Sequence, residues 1–201
     1  MIAVQPTVCR DDVARILAEV NAAGPQRQRP ALVVLVGLPA SGKSRVAGEL
    51  RERTGAAVLE SDALRRLLFP QRTYSARESQ QLFAAIHAAI DELLSEGATV
   101  VLDATNLAET ERAPLRDMAA RWDAKLVFVR VTAPDSLIRR RLESRSVNDI
   151  DGSEADVRVY ERMRSRVEEL RQPHHIVDTS QEIEPVMAII ARELGVKERA
   201  L

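Results

Sequence analysis

The chain has 201 residues, of which 45% are hydrophobic and 29% charged, a composition typical of one globular domain and incompatible with a largely disordered chain. Its 29 basic and 30 acidic residues leave a net charge of −1, so nucleic acid or anionic lipid could be bound only through a local patch. The single cysteine, Cys9, excludes an internal disulfide and a thiolate metal cluster.

An amphipathic pattern in residues 1–23 opens the chain and is followed by a segment rich in Gly, Pro and Gln at 24–30. The apolar residues recur at helical spacing, and the Gly-Pro pair ends the helix. Residues 1–29 are therefore predicted to form a helix and a linker, an appendage to a domain spanning residues 30–201.

Apolar runs typical of strands alternate with helical patterns from residue 31 onward. The run at 31–36 is continuous and rich in Val, as expected for a strand buried on both faces of a parallel sheet. The alternation requires right-handed crossovers, so an α/β fold with five mostly parallel strands and helices on both faces is predicted. The strands are predicted at 31–36, 57–59, 99–102, 126–131 and 175–177. The helices are predicted at 43–53, 76–95, 109–121, 135–145, 154–170 and 182–194, with a polar loop at 146–153.

Residues 37–44, with the sequence GLPASGKS, match the pattern G-x-x-x-x-G-K-[ST] at every fixed position. The motif lies between a predicted buried strand and a helix start, which makes a chance match in a glycine turn the weaker interpretation. Loop amides and the helix dipole form an anion site there. Lys43 would reach the β- and γ-phosphates of ATP, and the Ser44 hydroxyl would hold Mg²⁺. The predicted nucleotide-binding residues of this loop are Gly37, Pro39, Ala40, Ser41, Gly42, Lys43 and Ser44.

Asp103 follows the predicted third strand and precedes Thr105 and Asn106. A carboxylate at the carboxyl end of a buried strand beside the phosphate loop can help hold Mg²⁺ or bind the acceptor. The alternative is that Asp103 caps the following helix. We predict that Asp103 joins Ser44 as a metal ligand. Acceptor binding is predicted for Asp103, Thr105, Asn106 and Arg112.

Asp62 and Arg65 lie three residues apart at the start of a predicted helix and therefore face the same side. A carboxylate beside an acceptor hydroxyl can take its proton, and a guanidinium can hold an acceptor phosphate or the transferring group. Helix capping by Ser61 or Asp62 is the competing explanation. Both Asp62 and Arg65 are predicted to be catalytic and to contact the acceptor.

The arginine-rich run at 139–145 precedes the predicted polar loop. Such runs are usually solvated helix faces, but phosphoryl transfer needs positive charge over the γ-phosphate and exclusion of water. Arg141 and Arg145 are four residues apart and share a face. They are predicted to contact the nucleotide from a lid at about 139–156, with Arg141 also catalytic.

The phosphate loop, the Asp62–Arg65 pair, the Asp103 strand end and the arginine-bearing lid together resemble the P-loop kinase family typified by the polynucleotide 5′-hydroxyl kinases. This is a family of AAA-type small ATP-binding kinases, and the resemblance covers about residues 33–180. Asp62 to Arg65 matches its Asp-x-x-Arg element, and residues 103–107 resemble its Asp-Thr-Asn strand end. The resemblance implies a P-loop NTPase fold with strand order 2-3-1-4-5. It also implies Asp62 as general base, Arg65 on the phosphates and a lid arginine on the nucleotide.

The position of Thr179 after the last strand is where related kinases hold adenine, so Thr179 is expected to contact the base, with a turn or helix cap as the alternative. The acceptor is open, because the same plan recurs in gluconate kinase-like enzymes and in kinases for serine attached to tRNA. Tyr74 could stack on a base or could simply pack.

The favoured hypothesis is an ATP-dependent kinase for a nucleic acid 5′-hydroxyl. The alternatives are a kinase for a small hydroxyl-bearing metabolite, such as a sugar, nucleoside or antibiotic, and a nucleotide-binding switch without kinase activity. The N-terminal residues lack a signal-peptide pattern, and no apolar run is long enough to span a bilayer. The sequence therefore predicts a cytoplasmic protein with no membrane partner.

Overall fold

A five-stranded sheet forms the centre of the structure, a computed structural model that describes residues 9–20, 29–148 and 157–195, with the backbone alone at 145–148. Every neighbouring pair of strands is parallel, in the order β2-β3-β1-β4-β5. The predicted strand order and α/β class are confirmed. The strands are β1 (Ala31–Val36), β2 (Ala57–Glu60), β3 (Thr99–Asp103), β4 (Lys125–Thr132) and β5 (His174–Asp178).

Eight helices lie within the described residues. Those predicted at 76–95 and 109–121 have the predicted bounds. None of the eight is long and apolar enough to cross a membrane. The helices are α1 (Arg10–Glu19), α2 (Lys43–Thr54), α3 (Ser61–Leu68), α4 (Ala76–Ser95), α5 (Glu109–Arg121), α6 (Asp135–Asn148), α7 (Val157–Arg164) and α8 (Glu184–Glu193).

Two predicted boundaries around the lid are wrong. Helix α6 continues to Asn148, past the predicted loop start at 146. Helix α7 ends at Arg164, six residues before the predicted end at 170. Beyond it the chain crosses toward β3, and the Glu168 amide donates to the carbonyl of Leu107 at 3.1 Å. This tertiary contact replaces the helical hydrogen bonds that local propensity favours. The predicted loop residues 149–153 lie outside the described residues.

Strand β1 shows why the sheet is covered on both sides. All six of its residues are buried, and successive side chains point to opposite faces. Leu32 and Val34 join a core cluster built with α1, α3, α4 and α5, whereas Val33 and Leu35 join one built with α2 and α8. With both faces covered, the carboxyl ends of the strands are where loops can form a ligand site.

Helix α1 is part of this core. Ile16 is 0% exposed and packs with Val13 and Val20 in the cluster that contains α4. Arg15 also donates a hydrogen bond to the carbonyl of Leu67 in α3. The expectation that α1 is an appendage is therefore wrong for its packing, because its apolar stripe covers α4. The domain boundary near residue 29 remains a prediction.

We expect Ile16→Ala to destabilise the protein by about 2 to 5 kcal/mol, because it leaves a cavity in the main core. For a chain of this size the melting temperature should fall by about 4 to 20 °C. Thermal unfolding followed by circular dichroism measures the shift. Glu19→Ala, at an exposed position of the same helix, is the matched control. An equally small effect of both substitutions would contradict a core role for α1.

Candidate active site

The phosphate loop at 37–44 turns tightly between β1 and α2. Ala40 has φ 59° and Gly42 has φ 100°, both in the left-handed region where residues other than Gly or Asn are strained. The Ser41 amide and the Lys43 ammonium both donate to the carbonyl of Leu38, at 3.2 Å and 3.0 Å. The Lys43 side chain therefore folds back onto the phosphate loop. Pro39, in the same loop, is buried.

Gly37 is required by close packing. A Cβ at this position would lie 2.4 Å from the carbonyl oxygen of Val131 in β4. The Gly37 amide donates to the carbonyl of Thr105 at 3.0 Å. Because that amide already has a partner, we replace the prediction that Gly37 binds the nucleotide with a structural role. The absence of a side chain at Gly37 lets the chain leave β1 between β3 and β4.

Ser44 and Asp103 meet at the start of α2. The Ser44 hydroxyl donates to Oδ2 of Asp103 at 2.8 Å, and Asp103 is only 4% exposed. Burial and the nearby charge of Asp62 raise the pKa of Asp103, although Lys43 and the Ser44 hydrogen bond oppose the shift. Helix α5 has Ala108 as its N-cap residue, so the capping interpretation of Asp103 is wrong.

The donor set of this pair suits Mg²⁺. The ion prefers oxygen ligands and is usually held by one or two protein groups together with substrate phosphates. A hydroxyl and a buried carboxylate 2.8 Å apart beside the phosphate loop provide two such oxygens. The residues at Ser44 and Asp103 therefore fit the predicted ion.

Asp62 is exposed in the first turn of α3, which follows β2 directly. The preceding residue pair Glu60 and Asp103 is in register between β2 and β3, so Asp62 emerges at the same edge of the sheet as Asp103. The N-cap residue of α3 is Glu60, with no side-chain cap hydrogen bond. The capping interpretation of Ser61 and Asp62 is therefore not supported, and the Asp62 carboxylate faces solvent beside the phosphate loop.

Thr179 supports the phosphate loop from the end of β5. Its hydroxyl donates to the carbonyl of Ser41 at 2.6 Å, and its side chain fills the space where a Cβ on Gly42 would lie. Arg141 donates to Oγ1 and the carbonyl of Thr179 at 2.9 Å and 3.3 Å, and to the carbonyl of Ala40 at 3.1 Å. The buried Thr179 side chain thus contacts the loop, which corrects the expectation that it contacts adenine.

Arg141 brings helix α6 onto the phosphate loop, as the lid prediction requires. Ala40 also packs with Ile138, Leu142 and Tyr160, an apolar contact between the loop, α6 and α7. Arg145 lies in α6, but its side chain and residues 149–156 of the predicted lid are outside the described residues. Of the two predicted lid arginines, the structure places Arg141 at the site.

Arg65 has a different role from the predicted one. Its guanidinium forms a buried ion pair with Glu78 at 2.5 Å and donates to the Ser79 hydroxyl at 3.3 Å. It also lies 4.8 Å from the centroid of the Tyr74 ring. Because the guanidinium is buried in these contacts, Arg65 organises the segment between α3 and α4, and the prediction that it binds phosphate is withdrawn.

Arg112 and Asn106 are also structural. Arg112 is 0% exposed and donates to the carbonyls of Asn106, Leu107 and Glu169 at 2.9, 2.7 and 3.1 Å. The Asn106 side chain is buried and donates to the carbonyl of Leu35 at 2.7 Å. The prediction that these two residues contact the acceptor is therefore wrong. Thr105, half-buried between them and Asp103, keeps its predicted position.

Glu78 was missed by the reasoning from sequence. Its Oε2 accepts from the amide and hydroxyl of Thr73 at 2.6 Å and 2.7 Å, while Oε1 binds Arg65. The pattern Ser75-x-x-Glu78 at the start of α4 is the available signal, since Glu commonly occupies the third position after a Ser cap. Ser75 does accept from the Glu78 amide at 3.2 Å, but the carboxylate turns to Thr73 and Arg65.

A family model described as "AAA domain" matches residues 32–170. The chain belongs to this AAA domain family. The matched segment begins in β1 and includes the phosphate loop, Asp62, Asp103 and Arg141. No curated protein matches the chain in sequence.

Solved structures with the same fold include small P-loop kinases. The gluconokinase of Sinorhizobium meliloti 1021 shares 23% identity and a TM-score of 0.58, with 86% of this chain and 100% of that chain covered. The Mycobacterium tuberculosis APS kinase CysC, in complex with AMPPNP and APS, shares 20% identity and a TM-score of 0.61, with coverage of 84% and 99%. Chaetomium thermophilum Kti12, in complex with ADP-AlF3, shares 21% identity and a TM-score of 0.65, with coverage of 82% and 97%. The AAA domain of this chain therefore has the P-loop NTPase fold.

We expect Thr179→Val to weaken nucleotide binding and lower stability by about 1 to 3 kcal/mol, because it removes the hydroxyl that donates to the Ser41 carbonyl and accepts from Arg141. Val has nearly the same shape as Thr, so packing against Gly42 is kept. Thermal unfolding and equilibrium titration with AMPPNP measure the two effects. Thr179→Ser retains the hydroxyl and is expected to bind close to wild type. A Thr179→Val protein with unchanged affinity would contradict the supporting role.

Acid should selectively weaken the Glu78 network. Burial alone raises the pKa of Glu78, but its hydrogen bonds from Thr73 and its ion pair with Arg65 lower it from 4.5 to about 2. A lowered carboxylate pKa adds stability above the unfolded value of about 4.3, and this stability is lost as the pH falls toward 2.

We therefore expect the melting temperature of Glu78→Gln to lie below that of wild type at pH 7 and the difference to narrow from pH 5 to pH 2. Melting curves recorded between pH 5 and pH 2 test this expectation. The control is Glu92→Gln, an exposed position on the same helix, which should follow wild type. A difference that stays constant with pH would rule out an ionised Glu78 as the source of the stability.

Proposed function

We propose that this protein is an ATP-dependent kinase that transfers the γ-phosphoryl group to a hydroxyl, with a polynucleotide 5′-hydroxyl as the acceptor. The observation that carries the proposal is the position of Asp62. This exposed carboxylate lies in the first turn of α3, directly after β2. Glu60, the last residue of β2, is in register with Asp103, so Asp62 emerges at the sheet edge where Ser44 and Asp103 meet. A nucleotide-binding loop by itself needs no such group.

The donor side uses the phosphate loop. Lys43 exchanges its bond with the Leu38 carbonyl for phosphate oxygens, and loop amides with the N-terminus of α2 bind the remaining negative charge. Ser44 and Asp103 would hold Mg²⁺, which when bound neutralises charge on the phosphates. The AMPPNP complex of APS kinase and the ADP-AlF3 complex of Kti12 support a nucleotide in this position.

Asp62 serves the acceptor. Its carboxylate accepts the proton of the acceptor hydroxyl as the oxygen forms its bond to the γ-phosphorus, and the bridging bond to ADP breaks. Arg141, already on the loop through the Ala40 carbonyl, supplies positive charge as the transferring group loses its bond to the donor. Catalysis rests mainly on positioning and on electrostatic stabilisation.

A nucleic acid terminus suits the surface next to Asp62. Three arginines are exposed in this part of the chain. Arg66 lies on α3, Arg72 in the segment that follows it and Arg77 at the start of α4. All three lie within residues 66–77, a basic stretch in a chain whose net charge is −1. An enzyme that grips only the end of a strand needs only a few phosphate contacts.

A small-molecule kinase is the second candidate, and the burial of Arg112 and Asn106 favours it. These side chains were expected to widen the polar acceptor surface, and the structure removes them from it. The gluconokinase and APS kinase neighbours act on small molecules by their names. A panel of sugars, nucleosides and aminoglycosides against a 5′-hydroxyl oligonucleotide, each with labelled ATP, separates the two candidates.

We expect Asp62→Asn to lower kcat by about 10² to 10⁴-fold, the range for loss of a general base, while the Kd for ATP changes less than about twofold because Asp62 lies on the acceptor side. Lys43→Ala should instead abolish nucleotide binding. Labelled transfer and AMPPNP titration measure these effects.

The control for this pair is Asp117→Asn, an exposed carboxylate on α5, which should turn over like wild type. If Asp62→Asn kept full turnover while Lys43→Ala lost ATP, the kinase mechanism would be wrong. A nucleotide-dependent switch would then be the better description.

A further inference from the structure

Tyr74 combines a strained backbone with an exposed side chain. Its φ is +51°, a conformation that is uncommon and costly for a bulky aromatic residue. Its side chain belongs to a residue that is 47% exposed, so the strain is not offset by full burial. Strained backbone of this kind is found mainly at functional sites.

A buried network holds Tyr74 in place. The Arg65 guanidinium lies 4.8 Å from the ring centroid and is itself fixed by Glu78 at 2.5 Å. The second Glu78 oxygen binds the amide of Thr73 at 2.6 Å, one residue before Tyr74. The ring is thus presented to solvent by a fixed segment rather than by a loose loop tip.

The network also contains an unsatisfied donor. Arg65 Nε is buried and finds no hydrogen-bond partner among the residues that the structure describes. Such groups are rare in folded proteins and carry a cost. The arrangement therefore serves the placement of the guanidinium against Tyr74 more than it serves complete hydrogen bonding.

The exposed ring belongs to the segment that follows the helix of the proposed base. Asp62 and Arg65 are three residues apart on α3, the spacing of neighbours on a helix surface, and Arg65 contacts the Tyr74 ring. Residues 61–79 contain four arginines and two acidic residues, a net charge of +2, whereas the whole chain has −1. The stretch that contains the proposed base therefore also carries an exposed aromatic ring and an excess of positive charge.

We propose that Tyr74 is the stacking platform for the base of the acceptor nucleoside, whose 5′-hydroxyl points to Asp62. The proposal rests on the proposed kinase function and names the feature that selects its acceptor. A π-face binds any base without regard to sequence, and the neighbouring arginines suit the phosphate on the 3′ side of that nucleoside. A sugar acid or antibiotic offers no such flat base to the ring.

The test compares Tyr74→Asn and Tyr74→Phe. Loss of a base–aromatic stack weakens binding by about 5- to 150-fold. We expect Tyr74→Asn to raise the KM for a 5′-hydroxyl oligonucleotide by that factor, with kcat at saturating acceptor and the Kd for AMPPNP unchanged, because stacking acts equally on ground and transition states. Tyr74→Phe keeps the ring and should behave like wild type.

Stability separates stacking from packing. Asn tolerates a positive φ better than most other side chains do, so Tyr74→Asn is expected to melt within about 2 °C of wild type. The control is Val167→Asn, at an exposed apolar residue (43%) outside the site, which should leave the KM unchanged.

Two binding measurements distinguish a free nucleoside from the end of an oligonucleotide as the source of the stacked base. Free nucleoside and oligonucleotide, each bound to protein saturated with AMPPNP, show whether the phosphates add affinity to the stack. The inference is overturned if Tyr74→Asn leaves oligonucleotide and nucleoside binding unchanged, or if Tyr74→Phe weakens them equally, since the ring would then not be the binding group.

Failure of the proposed function has a different signature. One outcome is that the wild-type protein binds the oligonucleotide through Tyr74 and yet transfers no phosphate to any acceptor. In that case the proposed kinase function is wrong and the proposed stacking site is supported. If the wild-type protein binds no base-containing acceptor and phosphorylates a sugar instead, the proposed stacking site is wrong and the proposed phosphotransferase activity is supported.

Discussion

The structure depends on satisfying the carbonyl groups of the phosphate loop. Turning amides toward a single anion leaves the loop carbonyls facing outward, where they need donors of their own. Lys43 donates to Leu38, Arg141 to Ala40, and Thr179 to Ser41. These donors come from α2, α6 and the end of β5, so the loop geometry is held by elements far apart in the sequence.

The two sides of the site are stabilised differently. On the side of the phosphate loop, Lys43 and Arg141 donate to backbone carbonyls of the loop itself. On the acceptor side Arg65 and Glu78 form a buried pair that is committed to the segment between α3 and α4. Removing either partner would leave an uncompensated buried charge. The contacts of the phosphate loop are thus to neutral carbonyls, whereas the segment between α3 and α4 is held by a buried ion pair.

Arginine is used here mainly as a structural donor. Arg112 binds two backbone carbonyls in the loop after β3 and a third in the segment after α7, and Arg65 binds Glu78 beside Tyr74. The planar guanidinium presents several donors in a fixed geometry, which suits such multiple contacts. Two arginines that the sequence assigned to the acceptor thus hold the segments on which acceptor-side residues stand.

Local pattern was enough for the five parallel strands and the phosphate-loop motif, because strand burial, helix periodicity and the motif are each written in a short run of residues. The strand order was expected only from the resemblance to a kinase family. The positions of Ser44, Asp62 and Asp103 followed from the same logic, since parallel strands bring their carboxyl ends to one edge. The core role of α1 did not follow, because the partner of an amphipathic stripe is not encoded within the stripe itself.

Local pattern in the chain thus specified the element types and the phosphate-loop motif. Which polar side chains face the ligand was decided by tertiary packing. Four polar residues, Arg65, Arg112, Asn106 and Thr179, have the chemistry of ligand-binding residues. Each is buried and donates to a carbonyl or carboxylate that lies 13 to 138 positions away in the chain. Buried donors and acceptors must be paired, and the identity of the partner depends on contacts between residues tens of positions apart, which no local pattern records.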